Sequence, residues 1–334
     1  MASKTFNVGV IGYGPPACPP KSSTSPSSPQ PPPRPPLHRP ALPQPGNSAP
    51  QDYPKLKHFT SAADLLADPE VDVVVITSTP DSHFELTKAA LEAGKHVLTE
   101  KPFVPTSAEA GVLVEIAREK GKLICVYQNR RWDADFLLVR HLISAGTLGS
   151  VLDFNTHFDR FKAAYVLFGL PQAVRGRLLS QREGKDDFEN PDAVAAELVY
   201  PDGLLVHVRI SQQSVELNQP RFWVRGNKGS FRSLGLDPQE DQLKAGLAPT
   251  ADGFGVLDQE GMSLVVLDAQ DKPVAAPIPQ LEAETYRTFY RKFGEAVVSG
   301  KEADVPVKAE EARDVLRIIE GVIESAKTGK DVTF

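Results

Sequence analysis

Cysteine is nearly absent: Cys18 and Cys125 are the only two in 334 residues. Two thiols make neither a disulfide framework nor a metal-ligand spacing, so no metal centre is expected and a reducing, cytoplasmic setting follows. Long apolar runs are missing as well. No stretch approaches the ~20 residues that span a bilayer. The opening MASKTFNVGVIGYG is too short and too broken by glycine to read as a signal peptide. Positive charge is in deficit, and a net charge of −6 at pH 7 argues against nucleic acid or an acidic membrane surface as a partner. No internal repeat is evident. What remains is an ordinary soluble composition, 41% hydrophobic and 24% charged, over a length that holds two domains.

Proline is abundant but unevenly placed: half of the thirty lie between Pro15 and Pro50. Just before them, Val8 to Ile11 runs into Gly12-Tyr13-Gly14. A strand ending in Gly-x-Gly brings backbone amides close to a pyrophosphate, and the helix that follows supplies free N–H groups. Pro15 and Pro16 defeat the second half of that device, because neither has an N–H and Pro16 pushes Pro15 away from helical dihedrals. Nothing from Pro19 to Pro45 has helical or strand periodicity, so residues 15–44 read as a disordered Pro-rich stretch. Within it, Pro29 to Arg34 (PQPPPR) fits the Pro-x-x-Pro-x-Arg spacing taken by SH3-type grooves, although such matches arise readily in any proline-rich segment.

The remainder alternates. Strands are expected at Thr5 to Ile11, Val71 to Ile76, Lys95 to Thr99 and Leu123 to Tyr127. Helices are expected at Ser61 to Ala67, after Thr79-Pro80 as far as Gly94, at Thr106 to Lys120 and at Asp135 to Ala145. That spacing implies crossover units and a parallel sheet. From Val151 onward the pattern becomes strands joined by the hairpin turns Pro201-Asp202-Gly203 and Gly226-Asn227-Lys228-Gly229, the sign of a mostly antiparallel sheet. The last helix carries an apolar stripe at Val315, Leu316, Ile319, Val322, Ile323 and Ala326, whose plain reading is core packing. The expected fold is α/β: an incomplete Rossmann-like domain over residues 1–130, then an α+β domain with an open, mostly antiparallel sheet over 131–334.

The stretch DPEVDVVVITSTPDSHFELTKAALEAGKHVLTEKPF, Asp68 to Phe103, resembles the middle of the Gfo/Idh/MocA oxidoreductase family, and the spelling Gly94 to Pro102 is specific to it. YQNRRWDADF (Tyr127 to Phe136), HFDRF (His157 to Phe161) and the closing segment from Pro306 to Gly329 are similar to one branch of that family. The resemblance implies NAD or NADP as cofactor, a sugar, polyol or related alcohol as substrate, hydride transfer as the reaction, and a homodimer. It places Gly12 and Gly14 against the pyrophosphate, and Thr77, Thr79, Pro80 and His83 near the cofactor. Glu100, Lys101 and Pro102 fall beside the nicotinamide ribose, with a cis peptide before Pro102 and Lys101 reaching the substrate hydroxyl as the catalytic group. Gln128, Asn129, Arg130 and Trp132 line the substrate cleft. Alone, Lys101 would be a surface lysine, Trp132 packing, one of Arg130 and Arg131 a solvated or paired charge, and His83, His96 and His157 structural.

Two departures stand against the family pattern. Residues 15–44 replace the first helix and second strand, together with the acidic residue that meets the adenosine ribose, so NAD and NADP are not distinguished and binding is expected to be weak or lost. After Lys162 the family runs through a glycine-rich turn and an Asp-x-Gly-x-His-x-x-Asp helix; here Ala163 follows at once and about thirty residues are missing by that resemblance. His157, Asp159 and Tyr165 are substitutes by proximity in sequence only. The readings are therefore an oxidoreductase by descent with impaired activity, a pseudoenzyme, or an interaction protein acting through its Pro-rich segment.

Overall fold

Short β-branched runs separated by amphipathic helices build the first half of the chain. The computed structural model describes residues 5–12, 49–50, 53–157 and 160–334. Gly14, Cys18, Asp159, the Pro29 to Arg34 motif and all of 15–44 lie outside the described residues. Contacts divide the chain into two compact units, Met1–Pro105 with Leu113–Tyr127, and Thr106–Val112 with Gln128–Phe334.

The first unit holds a parallel sheet of β1 (Val8–Ile11), β2 (Val73–Ile76), β3 (His96–Thr99) and β4 (Ile124–Val126) in that order. Helices α1 (Ala62–Ala67), α2 (His83–Glu92) and α3 (Ser107–Lys120) alternate with the strands. Val74, Ile76, Val97, Leu98, Cys125 and Val126 are buried, as a sheet covered on both faces requires. β1 differs. It sits at the sheet edge, and Val8 and Val10 are 56% and 50% exposed. Only Gly9 is buried, and a Cβ there would lie 2.8 Å from Leu65 Cδ2. The expected helix start at Thr79-Pro80 is modified: a 3₁₀ turn, Pro80–Ser82, precedes α2, and Thr79 makes no side-chain cap. Its hydroxyl bonds Asp81 instead, which holds that carboxyl below its usual range.

The second unit folds a ten-stranded mixed sheet. Its strands are β5 (Val151–Thr156), β6 (Ala173–Ser180), β7 (Lys185–Asp186), β8 (Ala193–Val199), β9 (Leu205–Ser211), β10 (Pro220–Gly226), β11 (Gly229–Leu234), β12 (Ser263–Leu267), β13 (Pro273–Ala276) and β14 (Val332–Thr333). The order is β13-β12-β11-β10-β5-β9-β8-β6-β14, with β7 on β6. Only β5 and β9 run parallel. Helices α4 (Ala134–Ser144), α5 (Arg160–Phe168) and α8 (Ala309–Thr328) share one core with the inward residues Phe154, Val174, Leu198, Val206, Phe222 and Phe231. Two further helices, α6 (Gln239–Lys244) and α7 (Tyr286–Ser299), complete the unit. α5 runs through the Lys162–Ala163 junction without interruption.

The stripe expected on α8 is rotated. Its buried line is Ala312, Val315, Ile318, Gly321, Val322 and Ser325, with Leu316, Ile319, Ile323 and Ala326 only half-buried. The cause is close approach of the helix to β6. A Cβ on Gly176 would lie 2.5 Å from the Val322 carbonyl oxygen, and Gly176 N donates to Ser325 Oγ at 3.0 Å. Small residues therefore take the centre of the contact and large ones flank it.

Candidate functional site

In the first unit, the carboxyl ends of β1, β2 and β3 bring the predicted cofactor residues together. β1 ends at Gly12, whose φ is +108°, and a Cβ there would lie 2.5 Å from Ser78 N. Only glycine fits that turn. Thr77 N and Oγ1 both donate to the Ile11 carbonyl, at 2.8 and 3.1 Å, so this hydroxyl fastens β1 to β2. After β3, the Lys101–Pro102 peptide is cis, as the resemblance implies. Lys101 N donates to Glu100 Oε2 at 3.1 Å and its side chain is exposed. His83 is 1% exposed; Nδ1 lies 2.8 Å from the Pro102 carbonyl oxygen and Nε2 3.1 Å from that of Ser78. This histidine staples the Glu-Lys-Pro corner to the turn before α2, a structural post. The bare glycine turn and the strand ends suit a dinucleotide, since ligands of open parallel sheets bind outside the carboxyl ends of the strands.

The second unit holds the cleft residues of the YQNRRWDADF segment. Asn129–Trp132 form a 3₁₀ turn leading into α4. Gln128 is buried and its Oε1 accepts from Arg131 at 2.9 Å. Arg130 bonds Asp133 at 3.3 Å and pairs with Glu240, and Arg131 pairs with Glu311. Burial opposes the Arg130 charge, but Asp133, Tyr286 and Glu240 together more than offset it and the guanidinium pKa rises. Trp132 is 6% exposed and meets Phe289 edge-on at 5.5 Å, so it packs. Gln128, Arg130, Arg131, Phe136, Lys162, Ala163 and Val166 line a small hollow with room for little more than a water molecule.

Behind it lies an ionic cluster that sequence reasoning missed. Arg221, fully buried, donates to Asp135 at 2.8 Å and to Asp133 at 3.4 Å. Tyr286 donates its phenolic hydrogen to Asp133 at 3.0 Å, and Asp237 accepts from the backbone of Ala134 and Gln239. Burial pushes the Asp237 carboxyl up, against those two hydrogen bonds. Arg221 heads an alternating strand, RFWV, and gives no local sign of its partners.

The substitutes by proximity do not hold equally. Tyr165 donates to Asp314 at 3.0 Å, and burial, then the Asp314 charge, pushes its phenol up, so it is a tie between α5 and α8 and a poor base. His157 is partly buried with Nδ1 unpartnered, and burial, then Arg209, pushes its imidazole below its ordinary value. Thr156 Oγ1 and Arg131 Nε are also buried without partners. Among the described residues no group of three His, Cys, Asp or Glu could hold a metal, and no helix is long and apolar enough to cross a membrane.

A parallel sheet with a bare glycine turn at its carboxyl edge, followed by a mixed-sheet domain, defines a nucleotide-dependent α/β oxidoreductase. The profile described as an oxidoreductase family with an NAD-binding Rossmann fold matches residues 43–128, and the one for its C-terminal alpha/beta domain matches 163–334. The chain belongs to the Gfo/Idh/MocA oxidoreductase family, whose Rossmann domain makes NAD or NADP the cofactor. It is similar to a Schizosaccharomyces pombe oxidoreductase, 34% identical over 319 residues, covering 84% of this chain and 86% of the relative. The scyllo-inositol 2-dehydrogenase (NADP(+)) IolW of Bacillus subtilis is 33% identical over 310 residues, with 84% of each chain covered. The solved structure of the B. subtilis oxidoreductase yvaA superposes with a TM-score of 0.78 at 31% identity, covering 86% of this chain and 87% of that one.

Proposed function

We propose that this chain is an NAD(P)-dependent dehydrogenase of sugars or polyols by descent, with hydride transfer impaired in the form written here. The observation that carries the reading is Lys101, exposed on a corner held by Glu100 and by the grip of His83 on Pro102. Bound NAD(P) would supply the hydride acceptor or donor. The tight turn at Gly12, packed on the Ser78 backbone, would present its own backbone to the diphosphate, and Thr77, Thr79 and Pro80 shape the turn beside it. The Lys101 ammonium stabilises the alkoxide that develops on the substrate carbinol oxygen. Gln128, Asn129 and Arg130 orient the hydroxyls of the substrate, and the name of the relative IolW supports a polyol.

Impairment is inferred from both departures. The Rossmann profile match begins at residue 43, after the Pro-rich stretch, and the C-terminal match begins at 163, at the junction. The unpartnered atoms Thr156 Oγ1 and His157 Nδ1 lie just before that junction, and Arg131 lines a pocket with Lys162 and Ala163. Buried polar atoms are otherwise nearly always paired. Proton removal thus lacks a committed base. A cytoplasmic location and a homodimer, formed through the uncovered face of the ten-stranded sheet, complete the reading.

The test follows NADP⁺ reduction with scyllo-inositol and a panel of sugars, for the chain and its Lys101→Met variant. Slow turnover that falls a further ~100-fold in the variant supports the reading. Turnover indifferent to Lys101 removes it, and no turnover with retained polyol binding makes the chain a pseudoenzyme.

A further inference from the structure

We propose that Glu240 sets the charge selectivity of the substrate site: its carboxylate, seated on Arg130, makes the site take neutral hydroxylated ligands and refuse carboxylate-bearing ones. The inference rests on the reading above, in which Gln128, Asn129 and Arg130 orient the substrate, and narrows the substrate class to uncharged sugars and polyols.

Arginine is the side chain best suited to a ligand carboxylate, because its planar fork meets both oxygens at once. The Asn129–Trp132 turn carries two arginines, yet both are answered from within the unit. Arg130 bonds Asp133 at 3.3 Å through one terminal nitrogen and pairs with Glu240 through the other. Arg131 pairs with Glu311 and donates to Gln128 Oε1 at 2.9 Å. Glu240 and Glu311 lie 110 and 180 residues from their arginines, so the fold itself delivers these carboxylates to the turn. Lys162 lines the same hollow as both arginines, so losing one carboxylate would tip the local balance toward positive charge.

The two acids on Arg130 differ. Asp133 is fully buried and also accepts from Arg221 and Tyr286, so it is fixed. Glu240 is half-exposed, so it is the partner that an incoming ligand meets. An ordinary surface ion pair on two free side chains does little. Here the residue before Glu240 sets its place. Gln239 is fully buried: its Nε2 donates to the Trp132 carbonyl, its Oε1 accepts from Tyr286 N, and its own N donates to Asp237 Oδ1, each at 2.9 Å. Asp237 Oδ2 in turn accepts from Ala134 N at 2.7 Å. The start of α6 is thereby pinned to the turn that carries Arg130. One turn further along α6, Lys244 donates to Glu240 Oε1 at 2.8 Å. Lys244, and then Arg130, hold the Glu240 carboxyl below its ordinary range, so it is ionised at pH 7.

A hydroxyl can accept from Arg130 and donate to Glu240, so a sugar or polyol finds both halves of the pair usable. A ligand carboxylate has no hydrogen to give. To reach Arg130 it must displace Glu240 or lie beside it, against the repulsion of a like charge. A placed like charge is as effective a source of selectivity as a new attraction.

Ligand-observed NMR titration of the full chain at pH 7 needs no turnover. The probes are scyllo-inositol, D-galactose and D-galacturonate, the last two differing only by a carboxylate in place of one hydroxymethyl group. The wild type is expected to bind galactose at least about tenfold more tightly than galacturonate. Glu240→Gln keeps the size of the side chain and its capacity to accept from Arg130, and should tighten galacturonate roughly tenfold while moving galactose less than about twofold. Glu240→Asp keeps the charge and should keep the wild-type ratio. Asp241→Asn removes a charge from the same helix, one that faces Lys244 at 3.8 Å, and should keep that ratio too. A ratio unmoved by Glu240→Gln, or moved as far by Asp241→Asn, overturns the selectivity while sustained binding of galactose or scyllo-inositol leaves the polyol reading standing. Equal wild-type affinity for galactose and galacturonate does the same. Binding of none of the three by the wild type or by Glu240→Gln overturns both.

Discussion

Two corners of this molecule handle buried polar groups in opposite ways. At the Glu-Lys-Pro corner of the first unit both nitrogens of His83 face carbonyl oxygens, and the nearby hydroxyls of Thr87 and Thr99, fully buried, bond each other at 3.0 Å. At the corner between β5 and α5, Thr156 Oγ1 and His157 Nδ1 are buried with no partner among the described residues. The first corner keeps the family spelling; its two hydroxyls pair, and the His83 ring donates to one of the two carbonyls it faces. The second leads into the Lys162–Ala163 junction, where the match to the C-terminal domain begins, and two of its polar atoms are unanswered among the described residues.

The largest effect tests whether the unpaired corner is a local gap or a sign of a loose second unit. Arg221→Met leaves Asp135 buried without its counter-charge and Asp133 with Arg130 alone, and should cost about 3–5 kcal/mol by urea unfolding. A loss below about 1 kcal/mol would mean that water already reaches the whole unit. The same conservative change at the two corners should then carry opposite signs. Thr99→Val strands the Thr87 hydroxyl and should destabilise by about 1–2 kcal/mol, whereas Thr156→Val removes an unanswered hydroxyl and should stabilise by about 1 kcal/mol. Equal signs would dissolve the contrast.

The smallest effect is in pH. Burial, then Arg209, lowers the folded pKa of His157, so as pH falls through the unfolded value near 6.5 the unfolded chain takes the proton first. His157 therefore contributes stability that is full above about pH 6.5 and is lost as pH falls toward the folded pKa. His157→Gln should flatten the slope of stability between about pH 5 and 6.5; an unchanged slope would put the imidazole in water.

Much of this was legible in the sequence, for reasons that particular residues make plain. The parallel strands read as buried apolar runs, and both hairpin turns join antiparallel strands as their glycines suggest. Lys101 and the cis Pro102 stand out because nine consecutive residues carry a specific spelling. What escaped depends on distance along the chain. Arg221 finds Asp135 across 86 residues and Tyr286 finds Asp133 across 153, and no local pattern encodes such pairings. Lys95 opens an expected strand, and nothing local in the sequence shows that its ammonium is buried and donates to the Asp68 and Val71 carbonyls at 2.7 and 2.8 Å. On α8, Val315, Ile319, Val322, Ile323 and Ala326 pack on the core as their periodicity implies, but the fully buried line also takes Ala312, Gly321 and Ser325, because close packing selects small side chains that periodicity does not weigh.

The central proposal is that this scaffold keeps its nicotinamide corner but grips the cofactor only weakly. Titration of the purified chain with NADPH and NADH, followed by nicotinamide fluorescence, tests it most directly. No saturation below about 1 mM, under 5 kcal/mol of binding free energy, is the result predicted. Saturable binding at about 1 μM would contradict it.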